Sequence, residues 1–504
     1  MDVRRTRECE VLIVGGGLVG LTAALVLRHH GLAVTLVERR TATSPQPKAR
    51  RFHVRSMEVF RELGLAATVH DAARDLADHD RMAVGRTLAE AERLPLRQPA
   101  GVDAPEVSPE LPCLIAQDVL EPVLRAAARD VGADVRFGTA LTGFEQDTDA
   151  VVADLGGRSV RAAYVVAADG AHSGVRRRLG IGRSGRGPVG GPSVNVYFRA
   201  DLADVVRGRE FNLCQIEHPD APGAIASVDG RLRWMFMTGG ERTDRDWPTV
   251  LRTALGVPAP DLEVLSVLPW QAEMLVADRY SAGRVHLAGD AAHVMPPFAA
   301  MGANTGISDA HELGWRLAAV LRGAAAPALL DGYAAERRPA AWFAADQSAR
   351  RTLDLRGRTT PDPALAHPFV LVAGGFQYTD GTLCRPDGHD PEPVDRFAPA
   401  GRVGTRVPHR WLDAARSRST LDLGGPGWAL LVAGDPRPWA ATGAVPVHRL
   451  DADFLPTGTA LLLRPDDIVA WRGTDVTAPG RVLQELLHPA RDASVPNSTV
   501  DSTG

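Results

Sequence analysis

Gly15, Gly17 and Gly20 stand in G-x-G-x-x-G spacing directly after the apolar run Glu10-Val11-Leu12-Ile13-Val14, and Glu38 follows 23 residues after Gly15. In this spacing the first glycine permits a tight turn, the second lets the backbone approach a pyrophosphate, and the third allows close helix–strand packing. A helix start carries free N–H groups and the positive end of a dipole. The amides of Leu18 and Val19 are therefore placed for phosphate oxygens. Glu38, with Arg39 beside it, can accept from ribose hydroxyls. A glycine-rich packing turn would explain the glycines but not Glu38. The pattern reads as a dinucleotide site, and it leaves FAD and NAD both open.

Two later turns repeat the logic. Residues 164–168 form an apolar run that ends in Asp169-Gly170-Ala171-His172-Ser173-Gly174. Residues 285–288 lead into Gly289-Asp290-Ala291-Ala292-His293, then Pro296-Pro297 and a turn containing Gly302, Ala303, Asn304 and Gly306. A helix is expected from near Ile307 to Leu321. Asp290 can accept from a ribityl hydroxyl, and N–H groups near Ala303 and Asn304 can face an anionic ring edge. Each acid alone could be a strand-end cap, but three in this order argue for one nucleotide site. His293 is placed to support its turn rather than to act as a base.

The chain has 504 residues and a formal net charge of −4, so no basic footprint argues for nucleic acid. Lys48 is its single lysine among 57 basic residues. Schiff-base chemistry, which needs a lysine amine, has one position open to it. No Gly-Lys dipeptide exists, which excludes a P-loop. Four cysteines lie far apart without a C-x-x-C, so neither a disulfide framework nor a zinc site is expected, and no metal at all. A reduced, cytoplasmic setting fits that usage. Residues 11–27 carry no charge but include four glycines, and they read as strand, turn and helix rather than a membrane span.

The three motifs, in this order, resemble those of the group A flavoprotein monooxygenases, the p-hydroxybenzoate hydroxylase-like family. Gln117-Asp118-Val119-Leu120-Glu121 is similar to the family's Q-x-x-L-E helix, whose glutamine contacts the flavin side chain. Residues 55–60 resemble its R-T-M-E-L helix start, and Tyr333 with Glu336-Arg337-Arg338-Pro339 resembles Y-x-x-E-R-x-P. The resemblance spans about residues 9–350. It is closest to the aromatic-polyketide hydroxylase and phenol 2-monooxygenase-like branch.

The resemblance implies an α/β protein in three parts. A Rossmann-like, glutathione-reductase-like FAD domain would take residues 1–70, 112–182 and 271–350. A mixed-sheet substrate domain would take 71–111 and 183–270, with strands at 193–199, 211–217, 223–228 and 231–238. A linker at 351–395 would lead to a thioredoxin-like unit at 396–490, without redox cysteines, serving packing or homodimer contact. Residues after about 490 read as disordered. FAD would be resident, held by Gly15, Gly17, Leu18, Val19, Gly20, Glu38 and Arg39, and by Arg50, Gln117, Leu141, Asp169, Asp290, Pro297, Gly302, Ala303 and Asn304.

No second dinucleotide fingerprint exists, so NADPH or NADH would visit transiently. Oxygen would reach a phenolic or polyketide-type aromatic ring through a flavin C4a-hydroperoxide, in the manner of an antibiotic-tailoring hydroxylase. Epoxidation or Baeyer–Villiger oxidation on the same fold, and a non-catalytic FAD-binding module, are the alternatives. The W-x-W-x-I-P signature of flavin halogenases is absent.

Two departures from the family stand near the flavin. Lys48 takes its arginine position and Arg51 its glycine position, which leaves Arg51 as a candidate for a catalytic role. Ala299 and Ala300 replace the paired glycines of P-P-x-G-G-x-G, narrowing backbone freedom. Phe298 is expected beside the ring, with Phe211, Gln215, Trp234 and Phe236 on the opposite wall. A core location is the competing reading for those strand aromatics.

Overall fold

Val11, Leu12 and Ile13 are fully buried, as a parallel strand covered on both faces demands. Their strand, Arg7–Val14, lies inside an eight-stranded sheet. The computed structural model describes residues 7–95, 107–259, 261–354, 362, 364–366, 370–371, 373, 376–385 and 399–489. Most of the expected linker, and the tail after 490, lie outside these described residues.

Val34–Glu38 and Ser159–Ala167 flank the central strand in parallel, and Asp134–Phe137 and Val285–Leu287 extend the parallel set at either side. Leu18–His29 follows the first strand and packs against the helices Gln117–Asp130 and Met301–Leu321. The charge-free stretch at 11–27 is thus strand, turn and helix. No helix among the described residues is long and apolar enough to cross a membrane.

In register, Val14 stands opposite Ala167, and Ala167 opposite Leu287. Three neighbouring parallel strands therefore end together at one edge, and the glycine loop, Asp169 and Asp290 follow those ends. Ligands bind outside the carboxyl ends of strands in such sheets.

A second, seven-stranded sheet has the order Glu263–Trp270, Ser193–Arg199, Arg233–Gly239, Gly223–Ser227, Leu213–Ile216, Met82–Gly85, Glu92–Arg93. It is mixed, because Leu213–Ile216 runs parallel to Met82–Gly85 while its other neighbours are antiparallel. One face packs Val196, Phe198, Ile225, Trp234 and Phe236 on helix Trp247–Leu255. The other face sets Tyr197, Ala226 and Met235 against Ala116 and Val119 of the first body.

The C-terminal residues form a four-stranded sheet ordered Val447–Arg449, Ala429–Val432, Ala460–Leu463, Val469–Gly473, followed by helix Ala478–Leu487. Its first pair is parallel and the rest antiparallel. A buried ionic seam ties this unit to the first body. Glu336 Oε1 accepts from Arg316 Nη2 at 2.7 Å and from Arg464 Nη1 at 2.8 Å, and the Thr382 amide donates to it at 2.7 Å. Arg406 and Arg55 add bonds to Glu58 and Asp467.

Candidate functional site

Gly15 has φ +112, and a Cβ there would lie 2.2 Å from the Ala168 carbonyl oxygen. At Gly20 it would lie 1.9 Å from the Gly15 oxygen. Both glycines thus let the helix start and the Asp169 strand close on one point. Gly17 caps Leu18–His29 without any side-chain cap bond, and a Cβ on it would meet only Glu121 Oε1, at 3.6 Å. Leu18 is buried, and Val19 packs against Gly289 and Gly306. The Leu18 amide is drawn to the Glu121 carboxylate, so what this turn offers a ligand is the Val19 backbone N–H.

Glu38 is fixed at its strand end by the amides of Gly16 and Arg40, each donating at 2.8 Å, while Arg39 is exposed. Asp169 accepts from the Val175 amide at 3.1 Å through Oδ2. Its Oδ1 is buried with no protein partner, an acceptor that a ligand hydroxyl would satisfy. The Asp290 side chain is exposed, although protein atoms crowd around its carboxyl at the turn. Burial pushes its carboxyl above the usual range, while His293 and Lys48 pull it back.

Lys48 is exposed, and its charge acts on both Asp290 and Glu121. It therefore borders the site electrostatically. The segment after it is pinned by Gln117, which accepts from the Ala49 amide at 3.1 Å and donates to Glu121 at 2.6 Å. Arg50 reaches the second sheet, donating to the Asn212 carbonyl and to Asn212 Oδ1, both at 2.9 Å. Burial lowers its pKa to about 10, and its Nε–H has no partner. Arg51 lies on strand Arg51–Phe52; burial lowers its pKa against the pull of Asp80.

Met301–Leu321 begins six residues before the expected start near Ile307. Gly302 and Gly306 are therefore helical, and the expectation of a glycine turn there is corrected. The reason is tertiary: a Cβ on Gly306 would meet Val19 Cγ2 at 2.5 Å, so glycine there serves helix-to-helix approach. The helix has no side-chain N-cap, and its first amides, including Gly302 and Ala303, lie at the positive dipole end.

The Asn304 side chain turns inward. It accepts from the His53 amide at 2.8 Å and Ser56 Oγ at 2.7 Å, and donates to the carbonyls of Arg51 and Ala300. The unpaired amides of this helix start are those of Met301, Gly302 and Ala303, ahead of Asn304. His293 is fully buried and bonds Asp309 Oδ2 at 2.7 Å, which also accepts from the Gly289 amide at 3.0 Å. It supports the turn. Leu141 is half-buried against the first core, Pro297 is exposed, and Phe298 is half-buried with its carbonyl accepting from Ser348.

The expected substrate wall needs correction. Phe211, Trp234 and Phe236 belong to the core under helix Trp247–Leu255, on the face away from Ala116 and Val119. Side chains alternate along a strand, so Met235 and Met237 take the face toward the first body instead. Gln215 shares it, since Gln215 pairs with Ala224, and Ala224 with Met237. Asn195 and Leu268 continue that face. The period-two rule was the signal that could have found them.

The cleft thus offers carboxylates at three strand ends, an orphan acceptor, and two uncapped helix starts. That donor and acceptor set fits a dinucleotide with hydroxyls and a pyrophosphate. The comparisons agree. A family model described as FAD binding domain matches residues 8–348, and one described as aromatic-ring hydroxylase, C-terminal, matches 400–491. Tetracenomycin B2 monooxygenase-dioxygenase of Streptomyces olivaceus is 39% identical, over 95% of this chain and 98% of its own. Aklavinone 12-hydroxylase of Streptomyces peucetius is 37% identical over 87% of this chain and 94% of its own. The structure of aklavinone-11 hydroxylase with FAD and aklavinone superposes with a TM-score of 0.82 at 32% identity, covering 96% of this chain and 99% of that one. The chain belongs to the group A flavoprotein monooxygenases, as an FAD-dependent aromatic hydroxylase.

Proposed function

We propose that this enzyme hydroxylates an electron-rich phenolic ring of a fused, polyketide-type substrate, using NAD(P)H and O2. One observation carries the reading: the three strand-end acids and the uncapped start of Met301–Leu321 gather at one edge of the parallel sheet, and the second sheet turns its apolar face of Leu213, Met235 and Met237 toward that same body at Ala116 and Val119. Bound FAD, reduced by NAD(P)H, supplies the activation of O2. Glu38, Asp169 and Asp290 would hold its hydroxyls, and the amides near Gly302 and Ala303 would favour negative charge on its ring edge.

Methionine side chains adapt to flat, irregular surfaces, and small Ala224 and Ala226 beside them leave room for a broad polycycle. Arg50 stays protonated at neutral pH, since its pKa falls only to about 10. Such a cation favours the phenolate, the more nucleophilic form of a phenol. We also read the chain as the three domains set out above. Two features support this. The strands at 82–93 join the second sheet, and the β-α-β unit followed by a hairpin and helix at 429–487 has the order of a thioredoxin-like unit.

The test is NAD(P)H consumption by the FAD-loaded enzyme over a panel of fused phenols under 18O2. Substrate-dependent turnover with labelled oxygen on a ring carbon supports the reading. Labelled epoxide or lactone would favour the alternatives on the same fold. Peroxide formed in step with NAD(P)H for every phenol offered would overturn it.

A further inference from the structure

Ala299 (φ 60) and Ala300 (φ 54) are consecutive left-handed alanines, immediately before the helix that starts at Met301. For an L-residue each such conformation costs roughly 1–2 kcal/mol, so the corner must be held from outside. Three side chains from three elements hold it. Ser348, on helix Asp331–Asp354, donates to the Phe298 carbonyl at 3.1 Å. His53, the N-cap residue of helix Val54–Glu62, bonds the Ala299 carbonyl through Nε2 at 2.7 Å. Asn304 donates to the Ala300 carbonyl at 2.6 Å.

A trans peptide directs its C=O and the following N–H to opposite sides. Drawing these carbonyls into the protein therefore turns the amides of Ala299 and Met301 the other way. The His53 bond fixes the peptide between the two alanines, whose N–H, that of Ala300, closes the turn on the Pro297 carbonyl at 3.1 Å, so His53 sets the corner itself and the amides on either side follow from it.

We propose that His53 is the positioning residue of the flavin loop: its imidazole holds the Ala299–Ala300 corner left-handed, so that the amides at the start of Met301–Leu321 face the anionic edge of the ring. A carbonyl only accepts, so His53 carries its proton on Nε2. Burial lowers its pKa to about 4, which keeps the ring neutral at physiological pH. The same residue's backbone N–H bonds Asn304 Oδ1, so His53 also orients the second member of the clamp. The proposal rests on the FAD reading of the cleft.

The test compares the wild type with His53→Ala, each with and without Ala299→Gly/Ala300→Gly, because glycine adopts the left-handed corner without the steric cost. FAD dissociation constants are read by flavin fluorescence, and hydrogen exchange over residues 297–303 is read on the apoprotein. His53→Ala is expected to raise Kd about tenfold, the loss of one such bond, and to speed exchange in that loop. Adding the two glycines is expected to recover most of the affinity. Wild-type Kd and exchange in His53→Ala would overturn the proposal, as would a loss that the glycines leave unchanged. Should His53→Ala not be recovered folded, His53→Phe, which keeps a ring's bulk without the Nε2 donor, is read by the same rule. Wild-type protein that binds no FAD would instead strike at the FAD reading itself.

Discussion

Glu336→Gln tests the ionic seam at its hub. Glu336 and its partners Arg316 and Arg464 are essentially excluded from solvent. Its Oε1 alone receives Arg316, Arg464 and the Thr382 amide, and Arg464 also approaches Oε2 at 2.8 Å. Glutamine keeps the volume and one acceptor oxygen, but it removes the charge and turns an NH2 toward a guanidinium. Asp466 still pairs Arg464 and Glu312 still meets Arg316. Burial pushes the Glu312 carboxyl well up; the further push from the Glu336 charge vanishes in the variant, so burial alone limits how far Glu312 compensates. Breaking a buried pair from one side costs roughly 3–5 kcal/mol, a large part of a typical total stability of about 5–15 kcal/mol.

Because the seam joins the C-terminal sheet to the first body, the loss should appear there first. In urea, the tryptophans of that unit, Trp411, Trp428, Trp439 and Trp471, should report an early transition in Glu336→Gln, ahead of the loss of bound FAD. The sign with pH follows. Although burial opposes it, the two arginines hold the Glu336 carboxyl below its usual range. Its stabilising contribution is therefore full above the unfolded carboxylate pKa and fades as pH falls through the folded value. The wild type should lose the seam on strong acidification, while the variant shows little further change there. A variant that unfolds in a single transition within about 1 kcal/mol of wild type would refute the reasoning.

Other expectations follow from the same contacts. Gly306→Ala should weaken FAD binding, since overpacking costs about 1–3 kcal/mol against about 1 kcal/mol of helix propensity gained; adding Val19→Ala should restore it, and an unaffected Kd in the single variant would show that the helices do not press there. Lys48→Gln removes a cation that lowers the Asp290 pKa, so its FAD affinity should begin to fall at a higher pH than in wild type. That shift should shrink in high salt, and coincident pH profiles would exclude the coupling. Met237→Ala should raise KM for the aromatic substrate with little loss of stability. Phe236→Ala, on the opposite face, should instead cost about 3–5 kcal/mol of stability, and denaturation curves beside kinetics separate the two.

Much of the cofactor half of the site was legible in the chain. The G-x-G-x-x-G loop, Glu38, Asp169 and Asp290 each follow a short apolar strand, and a buried parallel strand announces both itself and its carboxyl end within a few residues. The spacing to Glu38 needed no tertiary information, because strand, turn, helix and strand have nearly fixed lengths. The absence of a P-loop followed from composition alone.

Contacts distant in sequence decided the rest. Gly306 reads as a turn residue but lies inside the helix from Met301, and it is glycine there because Val19, nearly 300 residues earlier, leaves no room for a Cβ. Trp234 and Phe236 read as a pocket wall by residue type, but their parity was set by which face of the second sheet met Ala116 and Val119. The two alanines at 299 and 300 looked like a loss of freedom. Only the fold brings Ser348 to the Phe298 carbonyl and His53 to the Ala299 carbonyl, beside the local bond from Asn304 to Ala300, and makes a left-handed corner tenable. Local spacing determines which backbone groups a turn can offer; long-range packing determines which way side chains and peptide planes finally point.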